Sequence, residues 1–327
     1  MPTRFLVAPD SFKGTFDAFE VADALARGIE AAGSEADRCP VGDGGEGTAA
    51  VLVAHGGGEW REESVPGPLG DPVEARFGLI DGGKVAVIDA AAASGLTLVE
   101  PEQRDAEAAS TRGTGELIAA SLDAGATAVL LGAGGSGTTD GGQGAIEALR
   151  ERGGIDGASL SVLCDVKIAF EQAAPLFAPQ KGAGRDAVKR LAHRLDELAA
   201  GLPRDPRGVP MTGAAGGLAG GLWAEFGAEL LHGAEFVLDR IGFDARLEAA
   251  GAVIAGEGRF DVQSLEGKVV GEIAGRAAAA GHPLHLVAGQ VRVDHVLKGR
   301  LGAASIAVAT TLEEMTKAAE RIATRSG

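Results

Sequence analysis

Apolar positions in this chain follow one repeating order. Short continuous apolar runs lead into Gly-rich loops, and the loops lead into stretches where apolar residues recur every three or four positions. The runs read as buried strands and the spaced stretches as amphipathic helices. Arg4 to Ala8 predicts a strand, Pro9 to Thr15 a loop, and Phe16 to Ala32 a helix with Ala18, Val21, Ala22, Leu25 and Ile29 on one face. Thr15 is the expected cap at its start and Gly33 at its end. Trp60 to Ile88 differs, with short alternating strands punctuated by Pro66, Gly67, Pro68, Gly70 and Pro72. Further strands are predicted over 127–131, 159–164, 252–255, 284–288 and 304–309. Helices are predicted over 115–124 with Thr114 as cap, and over 143–151, 186–199, 269–280 and 312–323.

Repeated strand–helix units predict an α/β fold with a Rossmann-like, doubly wound parallel sheet. A chain of 327 residues exceeds one ordinary core, so a second, inserted α/β domain is expected. The Rossmann-like domain is assigned to 1–63, 110–157 and 236–327, and the second domain to 64–109 and 158–235.

Composition narrows the partners. Glycine is abundant, at 52 residues, but not periodic, and with 45% apolar residues the chain is neither collagen-like nor disordered. The net charge of −16 argues against nucleic acid and anionic membranes as partners. It also means that an anionic substrate must be met by local Lys, Arg, N–H groups or metal. The longest uncharged stretch, Gly208 to Ala224, is rich in glycine and a poor membrane span. Two cysteines without metal-like spacing, and no signal-peptide pattern, predict a cytoplasmic protein. A monomer or homodimer is expected.

Ligands of open parallel sheets bind outside the carboxyl ends of the strands, which turns loop positions into site candidates. Gly132 to Gly142 is the densest of them, a strand–loop–helix passage with six glycines. Gly134, Gly135, Ser136, Thr138, Thr139 and Gly141 supply N–H and hydroxyl donors suited to phosphate, and Asp140 a carboxylate that suits a metal or a proton. Asp165 ends another strand. Pro9 to Thr15 holds Asp10, Ser11 and Lys13, and Gly42 to Thr48 holds Asp43 and Glu46, which either bind metal through water or face solvent. Gly256 to Gly267 gathers Glu257, Arg259 and Asp261 just ahead of Lys268, a mixture able to hold metal and phosphoryl oxygens together. A Walker A loop is excluded, because Gly267-Lys268 is followed by Val269. G-x-G-x-x-G does match at Gly132, Gly134 and Gly137, but Glu151, near the spacing of a ribose-binding acid, falls in a predicted helix. Phosphoryl transfer therefore ranks above an NAD(P)-dependent hydroxy-acid dehydrogenase.

Taken together these segments resemble the two-domain bacterial glycerate kinase family. The matching stretches are 8–14, 43–48, 91–96, 113–118, Gly134-Gly135-Ser136 with Asp140-Gly141-Gly142, 179–183, 213–218, and Gly256-Glu257-Gly258-Arg259 with Asp261, Gln263 and Gly267-Lys268. They occur in family order across nearly the whole chain. The chain departs from the family at Gly137-Thr138-Thr139 and at Lys167 to Ala174, where an Asn-Pro-Leu segment is usual; the second departure keeps a non-catalytic, ligand-binding member of the family as an alternative. The resemblance implies transfer of the ATP γ-phosphoryl group to a hydroxyl of D-glycerate or a related hydroxy acid, with Mg²⁺, and 2-phosphoglycerate is the expected product. Asp140 or Asp165 is the candidate base or metal ligand, with Asp10 as a further candidate base. Lys13, Arg259 and Lys268 are candidates for the substrate carboxylate and transferring phosphate, and Asp43, Glu257 and Asp261 for the metal.

Overall fold

The computed structural model describes residues 3–260, 268–292 and 301–326. In chain order they form β1 (Arg4–Pro9), α1 (Ala18–Ala31), β2 (Glu35–Arg38), α2 (Thr48–Gly56), β3 (Glu59–Pro66), β4 (Pro72–Ile80), β5 (Val85–Asp89), α3 (Ala91–Ser94), α4 (Arg112–Asp123), β6 (Ala128–Gly132), α5 (Gln143–Arg152) and β7 (Ser159–Cys164). There follow α6 (Ala173–Phe177), α7 (Arg185–Gly201), α8 (Leu218–Phe226), β8 (Glu229–His232), α9 (Gly233–Arg240), α10 (Phe243–Glu248), β9 (Ala252–Phe260), α11 (Val269–Ala280), β10 (Leu284–Val291), β11 (Ser305–Val308) and α12 (Leu312–Ser326).

The chain divides into two units, Met1–Asp43 with Ala234–Gly327, and Gly44–Gly233, so the second unit is inserted in the first. The first contains a five-stranded sheet in the order β11-β10-β9-β1-β2, with every pair parallel. Phe5 and Val7 of β1, Ile254 of β9 and Val287 of β10 are buried beneath α1 and α12, whose apolar stripes supply Val21, Leu25, Ile29, Met315, Ala319 and Ile322. Helix α1 begins at Asp17, not Thr15: the Asp17 carboxylate accepts from the Phe19 and Glu20 N–H groups, and Glu20 reaches back to the Asp17 N–H.

The second unit contains a six-stranded mixed sheet in the order β3-β4-β5-β6-β7-β8. Its β3–β4–β5 portion is antiparallel and the remainder parallel. The fold is thus mixed α/β with parallel sheets in two domains, as expected, but the partition differs from the sequence assignment. Strand β6 pairs with β5 on one side and β7 on the other, so 110–157 belongs with the segments on both sides of it. The stretch 44–63 also lies in this unit, α2 opening on N–H groups held by Asp89. Helix α4 starts after Thr111 instead of Thr114; Thr114 is buried inside the helix and its hydroxyl lies 2.7 Å from Ser94 Oγ. The departing segment Lys167 to Ala174 builds a small core of its own, with Phe170, Ala173 and Ala174 packed on Leu191, Leu195 and Ala199 of α7.

Candidate active site

In the first unit the carboxyl ends of β1, β9 and β10 surround a cavity of about 460 Å³. Strand pairing creates it from distant sequence. Pro9 of β1 is level with Gly256 of β9, and Gln290 of β10 with Arg259. Asp10, Ser11 and Lys13 enter from the loop after β1, Asp43 from beyond β2, Glu257 and Arg259 from β9, and Lys268 from the residue preceding α11. The predicted loop from Gly256 is strand as far as Phe260, because residues 256–260 continue the β10 ladder. Asp261 lies outside the described residues.

The cavity places three carboxylates and three cations together: Asp10, Asp43 and Glu257 against Lys13, Arg259 and Lys268. The acids are buried, with Asp43 only 2% exposed, whereas Lys13 and Arg259 are exposed. Lys13 Nζ lies 3.3 Å from Asp43 Oδ2. Asp10 Oδ1 accepts the Ser11 N–H at 2.7 Å. Burial and then the neighbouring Asp43 push the Asp10 carboxyl up to about 8, against the opposing pull of Lys13 and the Ser11 N–H. Gln290, Gly289 and Thr310 also line the cavity. They escaped notice in the sequence, although Gly289 and Gln290 end an apolar run and satisfy the same strand-end rule as Asp10.

Mg²⁺ prefers oxygen ligands, and usually takes one or two carboxylates with the rest of its shell from water and substrate phosphate. The Asp43 and Glu257 carboxylates suit that donor set. No group of three or more His, Cys, Asp or Glu residues able to hold a metal occurs among the described residues.

The Gly132–Gly142 segment sits in the second unit and requires correction. Thr138 and Thr139 are completely buried, Ser136 and Asp140 nearly so, and only Gly135 of this loop is exposed. Its glycines serve close packing. A Cβ on Gly134 would stand 2.5 Å from Gly45 Cα, and one on Gly216 would stand 2.0 Å from the Thr138 carbonyl oxygen. Gly141 donates its N–H to the Gly216 carbonyl. The hydroxyl of Thr138 pairs with Ser136 Oγ at 3.0 Å. Lys181, 3% exposed, donates to the Thr138 carbonyl, and Arg194 donates to that of Thr139 at 3.2 Å. Burial draws the Lys181 ammonium down to about 8.

Asp140 is likewise committed. Its Oδ2 accepts from the Thr111 N–H and hydroxyl, both at 2.8 Å, and from the Gly144 N–H at 3.2 Å, while Oδ1 accepts from the Gly142 N–H at 3.1 Å. With four donors already on it, the carboxylate fastens the start of α5 to that of α4. Thr138 and Thr139 have no exposed surface through which to meet a phosphate, and the glycines of the G-x-G-x-x-G match lie in a closely packed turn. Asp165 follows β7 in this unit, partly exposed.

Acids and cations gathered at the carboxyl ends of parallel strands define an enzyme-like pocket for a small anionic ligand. The sequence pattern of the glycerate kinase family matches residues 5–155 and 151–326, and the chain belongs to that family. It is 38% identical to the glycerate kinase of Bacillus subtilis strain 168 over 328 aligned positions, covering 89% of this chain and 86% of that protein. It is 37% identical to the glycerate 2-kinase of Escherichia coli K12, over the same shares of the two chains. A crystal structure assigned as glycerate kinase 2 from Salmonella typhimurium LT2 matches with a TM-score of 0.83 at 32% identity, covering 100% of this chain and 98% of that one. No described helix is long and apolar enough to cross a membrane.

Proposed function

We propose that this protein transfers the γ-phosphoryl group of ATP to the 2-hydroxyl of D-glycerate, giving 2-phosphoglycerate and ADP. The observation that carries the reading is the cavity in which Asp10, Asp43 and Glu257 meet Lys13, Arg259 and Lys268. Two anions must approach each other, so cations have to neutralise the carboxylate and the phosphoryl oxygens while an acid–base group takes the hydroxyl proton. Lys13, Arg259 and Lys268 fill the first role. Asp10 fills the second: it is buried, and its proton affinity is set near neutral pH, where a general base is most effective. Asp43 and Glu257 would hold Mg²⁺, which, when bound, offsets charge on the phosphate oxygens. The carboxylate that pairs with Lys13 also keeps that lysine directed at the cavity.

The test is ADP release measured with purified protein, MgATP and D-glycerate, followed by NMR identification of the product. Turnover that yields 2-phosphoglycerate and stops in excess chelator is expected. Absence of ADP release with D-glycerate, or turnover indifferent to chelator, would overturn the substrate or the metal assignment respectively.

A further inference from the structure

A second cavity in the same unit, of about 290 Å³, is lined by β10, β11 and α12. His285, at the amino end of β10, contributes to it, whereas Gly289 and Gln290, which line the first cavity, lie at the carboxyl end of that strand. Four or five residues of strand separate the two, about 15 Å. None of the residues lining this second cavity is acidic, in a chain whose net charge is −16. Arg321 and Arg325 both line it from α12. They are spaced i,i+4, so their like charges repel. Other arginines of this unit, Arg4, Arg38, Arg246 and Arg276, each hold a carboxylate; among the described residues Arg321 and Arg325 have no ion-pair partner.

The polar groups beside them point the same way. His285 is 8% exposed, and its Nδ1 lies 2.8 Å from Oγ of Ser305, its register partner on β11. Its Nε2 is buried with no hydrogen-bond partner among the described residues, a costly condition for a polar atom. Burial holds this imidazole below the usual histidine range, so it is neutral at physiological pH. If Ser305 donates to Nδ1, the ring proton sits on Nε2, and the ring offers a donor without adding charge.

We propose that this cavity is a second binding site, separate from the catalytic one, for the dianionic phosphoryl group of a small phosphate ester, held by Arg321 and Arg325 with His285 and Ser305. Paired guanidinium groups match phosphate in both geometry and charge. The volume exceeds what a phosphoryl group fills, which leaves room for a short organic part.

The experiment follows the His285 Cε1–H resonance of the full chain at pH 8, assigned by its loss in His285→Gln. Inorganic phosphate, glycerol 3-phosphate and D-glycerate are titrated separately to about 10 mM, tenfold above the Kd of a weak millimolar site. A saturable shift with glycerol 3-phosphate is expected, with no shift from D-glycerate. Inorganic phosphate binding as tightly as the ester would make the free ion the ligand of the same site. The double variant Arg321→Gln/Arg325→Gln should weaken binding about tenfold or more while leaving kcat with D-glycerate unchanged. No saturable shift with either phosphoryl compound, an equal shift with D-glycerate, or full binding by the double variant would overturn the proposal.

Discussion

Replacing Asp140 by Asn separates a structural carboxylate from a catalytic one. The wild-type side chain is 6% exposed and receives four hydrogen bonds, three on Oδ2 and one on Oδ1. An asparagine can keep its oxygen on the Oδ2 side, facing the Thr111 N–H, the Thr111 hydroxyl and the Gly144 N–H. Its NH₂ group then faces the Gly142 N–H, donor against donor. One hydrogen bond to a charged acceptor is lost, three others become neutral, and one buried N–H is left without an acceptor. Each such change is worth about 1–3 kcal/mol and the changes are not additive, so a net loss of roughly 2–3 kcal/mol is expected. In a domain of this size each kcal/mol moves Tm by about 2–4 °C, which predicts a fall of roughly 4–12 °C. Calorimetry of the free protein measures it, and kcat under saturating D-glycerate and MgATP, well below the new Tm, measures chemistry. A general base would show the opposite pattern, a rate loss of about 10²–10⁴ with Tm unchanged. That outcome would refute the assignment of Asp140 as a clamp between α4 and α5.

Three further changes test other parts of the structure. Between pH 3.8 and about 8 the folded state holds a proton on Asp10 that the unfolded state has lost, so this group's contribution to stability falls as pH rises through that window; Asp10→Asn should flatten the fall in urea titrations without Mg²⁺, and an unchanged slope would place the shifted titration elsewhere. Lys181 is held at about 8 from an ordinary 10.5, so its contribution rises with pH across that interval, and Lys181→Met should remove the rise; a slope identical to wild type counts against the buried ammonium. Gly216 has φ +67° and no room for a Cβ beside the Thr138 carbonyl, so Gly216→Ala should cost on the order of 4 kcal/mol or more; a soluble variant with an unshifted urea midpoint would mean that the turn moves freely.

What the sequence reveals here depends on the range of the interaction concerned. Strand β7 and helix α11 occur over the residues predicted, because apolar run length and helical spacing are local properties. The strand-end rule also found Asp10, Lys13, Asp43, Glu257, Arg259 and Lys268, which pairing among β1, β2, β9 and β10 then brings to one cavity. Asp17 caps α1 in place of the expected Thr15 and escaped notice, although Asp17-Ala18-Phe19-Glu20 has the spacing of a capping box.

The Gly-rich loop misled because glycine permits two kinds of close approach, by a ligand or by another part of the backbone, and the local sequence is the same for both. The difference lies in residues far along the chain: Lys181 and Arg194 take the carbonyls of Thr138 and Thr139, Gly216 packs on the first of them, and Thr111 occupies Asp140. Each of these partners is 29 or more residues from the group it meets. The domain partition failed for the same reason, since only the pairing of β6 with β5 and β7 shows where 110–157 belongs. A polar, glycine-dense loop therefore identifies a place where backbones must come close; whether that place is a binding site depends on whether its donors and acceptors remain uncommitted once the fold is complete. In this chain the Asp140 carboxylate and the carbonyls of Thr138 and Thr139 are committed internally, whereas Asp10, Asp43, Glu257, Lys13, Arg259 and Lys268 line an open cavity at the ends of β1, β9 and β10.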